Sequence, residues 1–230
     1  MRHKHFLSFF MKAFQGWQPA KMWLMAMVLG IGFYAIPHNA TAQAKKSKKD
    51  FLITVSTDLG DIYLILFDET PLHKANFVKL AQSGFYDSTT FHRVLKDFVI
   101  QGGDPHSKPG NIGDIGMGGP GYQIDAEIVS GFQHERGTLA AARKNDSLNP
   151  EKQSSGSQFY IVQADEGAPH LDGKYSIFGR VIKGLDVVDA IAEVKVGANG
   201  LPEVPVYMKV KATLLKKKAI SKIYGYSFNP

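Results

Sequence analysis

The 230-residue chain contains no cysteine. That excludes a disulfide framework, a thiolate metal site and a cysteine nucleophile, and leaves the redox compartment open. Acidic residues are missing from both ends: none of the 21 Asp and Glu lies in residues 1–49 or 216–230. Twelve of the 27 basic residues do lie there (Arg2, Lys4, Lys12, Lys21, Lys45, Lys46, Lys48, Lys49, Lys216, Lys217, Lys218 and Lys222), so Asp50 to Leu215 keeps 15 basic residues and carries about −6. A nucleic-acid-binding face needs Lys and Arg clustered within the folded part, so nucleic acid is not an expected partner. The terminal lysine runs read as solvated tails.

No apolar run reaches the ~20 residues that a membrane helix requires. The longest, Met22 to Pro37, contains two glycines and ends in proline. It follows four basic residues and precedes a polar stretch ending in Ala42-Gln43-Ala44, the small-x-small pattern of a signal-peptidase site. Residues 1–44 therefore read as an export signal, with an uncleaved membrane anchor as the alternative. Residues 45–50 are then a basic linker, 51–215 the folded domain and 216–230 a basic tail. The expected location is periplasmic or secreted after cleavage near Ala44, or membrane-attached if the segment stays.

The usual chemical signatures are also missing. His73, His92, His106, His134 and His170 show no H-x-x-x-H or H-E-x-x-H spacing, so no metal site is expected. Ser154, Ser155 and Ser157 flank Gly156 without a G-x-S-x-G elbow and read as a turn before a strand. Gly116 to Gly121, "GMGGPG", matches G-x-G-x-x-G by letter, but a proline interrupts it and a strand-like run follows, which makes it a surface loop. No cofactor is expected.

What is present is a series of short β-branched and aromatic runs. "DFLITVST" and "GDIYLILFD" flank a tight turn at Asp58 to Asp61. Thr70-Pro71 offers an N-cap and a first-turn proline to a helix that Gly84 closes, and Leu185 to Val194 reads as a second. "TFHRV", "FVIQGG", "YQIDAEI", "GTLAAAR", "SQFYIVQ", "YSIFGRVI" and "VPVYMKVKATLL" complete the pattern. About eight strands with two helices, without regular alternation, predict a mainly β fold: an antiparallel barrel or sandwich.

One stretch carries more. In "FHRVLKDFVIQGGDP", Phe91 to Pro105, alternation puts Ile100 on one face and Val99 and Gln101 on the other, where Arg93 of the preceding run can join them. Read alone, Arg93 is a surface arginine in an ordinary strand.

Together with "SQFYIV" and "LDGKYSIFGRVIKGLDVVDAI", this stretch closely resembles the cyclophilin family of peptidyl-prolyl cis-trans isomerases, in order from about Phe51 to Leu215. The resemblance implies a closed eight-stranded antiparallel β-barrel capped by two α-helices, no cofactor, and proline-containing polypeptides as partners of a monomeric enzyme. It implies that Arg93 is catalytic, with Gln101 holding it. It also implies that Phe98, Val99, Ala142, Gln158, Tyr160, His170, Leu171 and Tyr175 bind substrate, Ala142 through its backbone, with Phe178 near the pocket. His170 stands where cyclosporin-sensitive members carry tryptophan. A proline-recognising binding module with incidental turnover is the alternative reading.

Overall fold

The computed structural model describes residues 47–111 and 114–228. The expected export signal, residues 1–44, lies outside the described residues. Strand β1 (Lys49–Thr57) and strand β2 (Gly60–Leu66) pair antiparallel with Thr57 opposite Gly60, so the tight turn expected over Asp58 to Asp61 is a two-residue loop, Asp58–Leu59, with Gly60 and Asp61 already in β2. Gly60 has φ 131°, a conformation that L side chains rarely adopt, so glycine is required there.

Helix α1 (Pro71–Gln82) follows, then β3 (Thr89–Leu95) and β4 (Val99–Gly102). Next come β5 (Gln123–Ile124), β6 (Thr138–Ala141), β7 (Ser154–Ser155) and β8 (Phe159–Val162). The chain continues through β9 (Ile177–Lys183), α2 (Leu185–Ala192), β10 (Tyr207–Lys216) and α3 (Lys217–Tyr224). Eight strands close into an antiparallel barrel in the order β1-β10-β3-β4-β8-β6-β9-β2, while β5 and β7 form a separate ribbon. Closure removes the free edges that a sheet of this size would otherwise expose. The expected mainly β, closed eight-stranded barrel is therefore the observed fold.

Alternation fills the interior. Ile53, Val55, Ile62, Leu64, Ile100, Leu139 and Ile161 are fully buried in one core. Helix α1 joins that core through Phe77, whose ring centroid lies 4.9 Å from Tyr86, 5.4 Å from Phe159 and 5.6 Å from Phe178. Helix α2 contributes Val188, Ile191 and Ala192 against β2, β3 and β4.

The structure corrects the sequence reading at both ends of the domain. Strand β1 begins inside the expected linker, at Lys49, paired with Lys216. Residues 216–228 are not a free tail, because α3 makes a third helix on the outside of the barrel. The physical reason lies in β1 and β2. Leu52 and Ile65 are register partners that face outward, opposite to their inward neighbours Ile53 and Leu64, and an outward apolar pair needs cover. Ile220 of α3 supplies it, fully buried among Leu52, Ile65, Tyr63, Ile182, Leu215 and Tyr224. Lys217, expected in solvent, instead turns back, with Nζ 3.6 Å from Asp50, 3.4 Å from Asp68 and 5.0 Å from the centre of the Phe228 ring.

The start of α1 differs as well. Thr70 occupies the N-cap position but its side chain caps nothing. The carboxylate of Glu127 accepts from the backbone N–H of Leu72 and of His73, each at 2.9 Å, and lies 2.6 Å from Nδ1 of His73. A charged acceptor from 54 residues away satisfies the first-turn donors that a local threonine was expected to satisfy.

Candidate active site

The site is built on the hairpin of β3 and β4. Ile100 enters the barrel core, so period-two alternation turns Val99 and Gln101 to the outer wall. Arg93 is the register partner of Gln101, and its Nη1 donates to Oε1 of Gln101 at 3.2 Å. Guanidinium cannot accept a hydrogen bond, which fixes the amide orientation. Nε2 of Gln101 then donates to Oε1 of Gln158 at 3.1 Å, and Nε2 of Gln158 donates to the carbonyls of Gly116 and Gly118 at 2.9 and 2.8 Å. The arginine thus heads a chain of amides with one direction.

That chain ends in the "GMGGPG" loop. The buried Asp104 carboxylate accepts from the amides of Gly116 and Gly118, and a Cβ on Gly118 would stand 2.1 Å from Asp104 Oδ1. The loop is therefore pinned at its base from two sides. The abrupt end of β4 has a similar steric cause: Gly103 has φ 85° and passes so close to Ser157 that a Cβ would meet its carbonyl at 2.5 Å.

Arg93 and Gln101 edge a cavity of about 500 Å³. Its walls include Phe98, Val99, Ala142, Tyr160, Leu171 and Tyr175. Eight of the ten residues named from the sequence thus share one cavity. Tyr160 and Tyr175 meet edge to face at 5.9 Å, and the Arg143 guanidinium lies 4.5 Å from the centre of the Tyr175 ring. Burial, with Tyr175 adding, pushes the Tyr160 phenol above its ordinary range, so Tyr160 stays neutral.

Two expected members stand elsewhere. Gln158 lines an adjoining groove and reaches the cavity through the groups it bonds, Gln101, Gly116 and the backbone of Ala142. His170 is exposed and stacks on Phe98 at 5.3 Å, so it supports a wall without forming one. Phe178, expected nearby, belongs to the barrel core against Phe77. The backbone of Ala142 is already engaged: its N–H donates to Gln158 and its carbonyl accepts from Ser155. Only the second lone pair of that carbonyl is left to accept from a ligand.

The cavity also contains residues that sequence reasoning missed: His92, Ile115, Arg143, Asn199 and Leu201. His92 is buried, and that burial lowers its pKa against the opposing pull of Asp104. Adjacency to Arg93 and Ala142 was the available signal for His92 and Arg143. Ile115 and Leu201 come from irregular loops, where no periodicity exists to read. Among the described residues, no group of three or more His, Asp and Glu gathers as a metal site, and no helix is long and apolar enough to cross a membrane.

A closed antiparallel barrel carrying on its outer wall an arginine-edged cavity, with Phe98, Val99, Tyr160 and Leu171 among its walls, defines a class, the peptidyl-prolyl isomerase barrels. The family model for cyclophilin type peptidyl-prolyl cis-trans isomerases matches residues 52–212, and the chain belongs to that family of enzymes. A peptidyl-prolyl cis-trans isomerase of Arabidopsis thaliana is 40% identical over 155 residues, covering 65% of this chain and 88% of its own. One of Synechococcus elongatus is 41% identical over 151 residues, covering 62% and 93%. The crystal structure of the cyclophilin type isomerase of Cryptosporidium parvum aligns with TM-score 0.62 at 30% identity, over 71% of this chain and 98% of its own. A second crystal structure of that isomerase was obtained in the presence of the dipeptide Ala-Pro.

Proposed function

We propose that this isomerase accelerates rotation about Xaa-Pro bonds in exported polypeptides, with the proline ring in the 500 Å³ cavity and Arg93 as the donor that lowers the barrier. One observation carries the assignment: a guanidinium held by Gln101 at the edge of a cavity that Phe98, Val99, Tyr160 and Leu171 help to wall.

The chemistry needs such a group. Resonance gives the prolyl C–N bond partial double-bond character and a rotation barrier of ~18–20 kcal/mol. At the top of that barrier the bond is twisted, conjugation is lost and the nitrogen regains a lone pair able to accept a hydrogen bond. A donor aimed at that lone pair has no counterpart interaction in the planar ground state, so it lowers the barrier and not merely the energy of the complex. Arginine suits the task because it remains charged and offers several donors in a plane. One donor is engaged by Gln101, which fixes the plane while the others are free to face the substrate. Phe98, Val99, Tyr160 and Leu171 supply apolar contact for the proline ring and exclude water from the nitrogen.

Replacing Arg93 with alanine removes one preorganised donor, which typically costs about a hundredfold or more in rate. Turnover of an Xaa-Pro peptide, followed by NMR exchange, should fall by that factor while peptide affinity changes less. Near-normal turnover would reject the mechanism, and unchanged affinity with lost turnover would separate the enzyme from a binding module. Export is tested independently: residues 1–44 serve as the signal if the protein recovered outside the cytoplasm begins near Lys45. Recovery with its N-terminus intact and membrane-bound would instead make the segment an anchor. A single monomeric species in size-exclusion chromatography is expected.

A further inference from the structure

The Tyr160 hydroxyl is turned away from the cavity that its ring lines. It lies 2.9 Å from Nε2 of His134, a residue that does not line the cavity. His134 is 2% exposed, and every polar group it has is engaged. Its backbone N–H donates to Oδ1 of Asp172 at 2.8 Å, its carbonyl accepts from Ala168 at 2.7 Å, and Nδ1 is 2.7 Å from the same Asp172 oxygen. A carboxylate only accepts, so Nδ1 carries the proton and the neutral ring presents Nε2 as an acceptor. Tyr160 must then be the donor. Asp172 directly follows Leu171, another wall of the same cavity. One buried imidazole therefore ties Tyr160 on β8, 26 residues away in sequence, to Asp172, 38 residues away, and so to the Leu171 wall.

We propose that His134 is a positioning residue for the proline cavity: held as the Nδ1–H tautomer by Asp172, it fixes the depth of the Tyr160 ring and the distance of Leu171 from it. The inference rests on the reading of this cavity as the proline site. It also makes the cavity sensitive to acid. A proton added at Nε2 turns that nitrogen into a donor, so Tyr160 must accept from it and its own O–H gives up the buried acceptor it had. The charged and titratable groups around the ring are few. Asp172 and His170 approach from the turn at residues 169–172, and Tyr160 and Tyr175 from the cavity side, with Arg143 over Tyr175. On its own segment, Glu135 is turned to Arg180, and Arg136 to Asp165 and Asp189. Burial, with a smaller contribution from His170, lowers the His134 pKa and outweighs the opposing pull of Asp172. The acid limb therefore falls below the usual imidazole value.

The test compares wild type with His134→Leu, His134→Gln and Tyr160→Phe, measuring kcat and KM on an Xaa-Pro peptide from pH 8 to pH 5. Leucine removes the acceptor and should raise KM about tenfold, the effect of one lost buried hydrogen-bond partner. Glutamine keeps an acceptor for Tyr160 without titrating, so KM should stay within about twofold of wild type at pH 8 and the acid rise in KM should vanish. Tyr160→Phe should abolish the same acid limb, although the other buried histidine at the cavity, His92, remains. An acid limb that survives in both His134→Gln and Tyr160→Phe overturns the proposal, as does a His134→Leu variant with wild-type KM. Peptide-induced shifts of the Tyr160 ring resonances in wild type check the underlying reading separately. Their absence would mean that the cavity is not the peptide site, whatever the variants do.

Discussion

Arg93 and Gln101 face each other across β3 and β4 as register partners, with the guanidinium donating to the amide oxygen at 3.2 Å. Because arginine cannot accept, the orientation of Gln101 and then of Gln158 follows from this one contact, as far as the carbonyls of Gly116 and Gly118. The position of the arginine and the anchoring of the glycine loop are parts of one hydrogen-bonded unit.

Gln158→Glu tests that unit. The new carboxylate can still accept from Gln101, but its other oxygen faces two carbonyls that have lost their donor. Leaving buried acceptors unpaired costs ~1–3 kcal/mol, so the loop should detach at its base and kcat/KM fall about tenfold or more. Hydrogen exchange at the Gly116 and Gly118 amides should accelerate in parallel. Slowed turnover with unchanged loop protection would show that the two parts are not coupled.

A second prediction concerns the opposite wall of the barrel. The site stands on β3, β4, β6 and β8, whereas α3 covers β1 and β2. Ile220→Ala opens a hole over Leu52 and Ile65, and such truncations cost ~2–5 kcal/mol, with the lower end expected for a short terminal helix that can resettle. The melting temperature should fall by several degrees, as about 2 kcal/mol implies for a domain of this size, while kcat/KM stays within about twofold. A loss of activity with no loss of stability would contradict this separation.

Stability should also depend on pH in one direction. Burial lowers the pKa of His73, His92 and His134, against the opposing carboxylates of Glu127, Asp104 and Asp172. The unfolded chain therefore binds more protons than the native one once the pH drops below the free imidazole value of ~6.5. The contribution is complete above that value and is lost as pH falls through it toward the native pKa values, with a slope of at most ~4 kcal/mol per pH unit if all three act together. Calorimetry should find a melting temperature that is level near pH 8 and declines from pH 7 to pH 5. A melting temperature that rises over that interval would mean the histidines are charged in the native state.

The sequence made some of this legible because local rules governed it. Alternation in "FVIQGG" put Val99 and Gln101 on one face with Arg93, and Arg93 and Gln101 are the pair observed. Helix α2 is also close to its expected span, Leu185–Ala192 against Leu185 to Val194. What escaped depends on partners that the chain brings from afar. The lysine-rich stretch after Leu215 looked like solvent-borne tail until Leu52 and Ile65 gave Ile220 something to cover. His134 showed no motif, since its role is defined by Tyr160 and Asp172, 26 and 38 residues away.

The entry to α1 shows the same principle in energetic form and can be tested by a single atom. Thr70-Pro71 has the local signature of a capped start, yet the Leu72 and His73 amides donate to Glu127, whose carboxylate also meets the His73 ring. A remote carboxylate prevails because a charged acceptor makes stronger hydrogen bonds than a neutral hydroxyl and also interacts favourably with the positive end of the helix dipole. Glu127→Gln keeps the shape but turns one acceptor oxygen into an NH2 group facing donors. It should therefore destabilise the domain nearly as much as Glu127→Ala, by ~1–3 kcal/mol in chemical denaturation, since either change leaves a donor unpaired. Thr70→Ala should cost much less than the ~1 kcal/mol typical of a working N-cap, because its hydroxyl caps nothing. If Thr70→Ala proves the costlier of the two positions, the local signature governs α1 after all, and the long-range carboxylate is incidental to it.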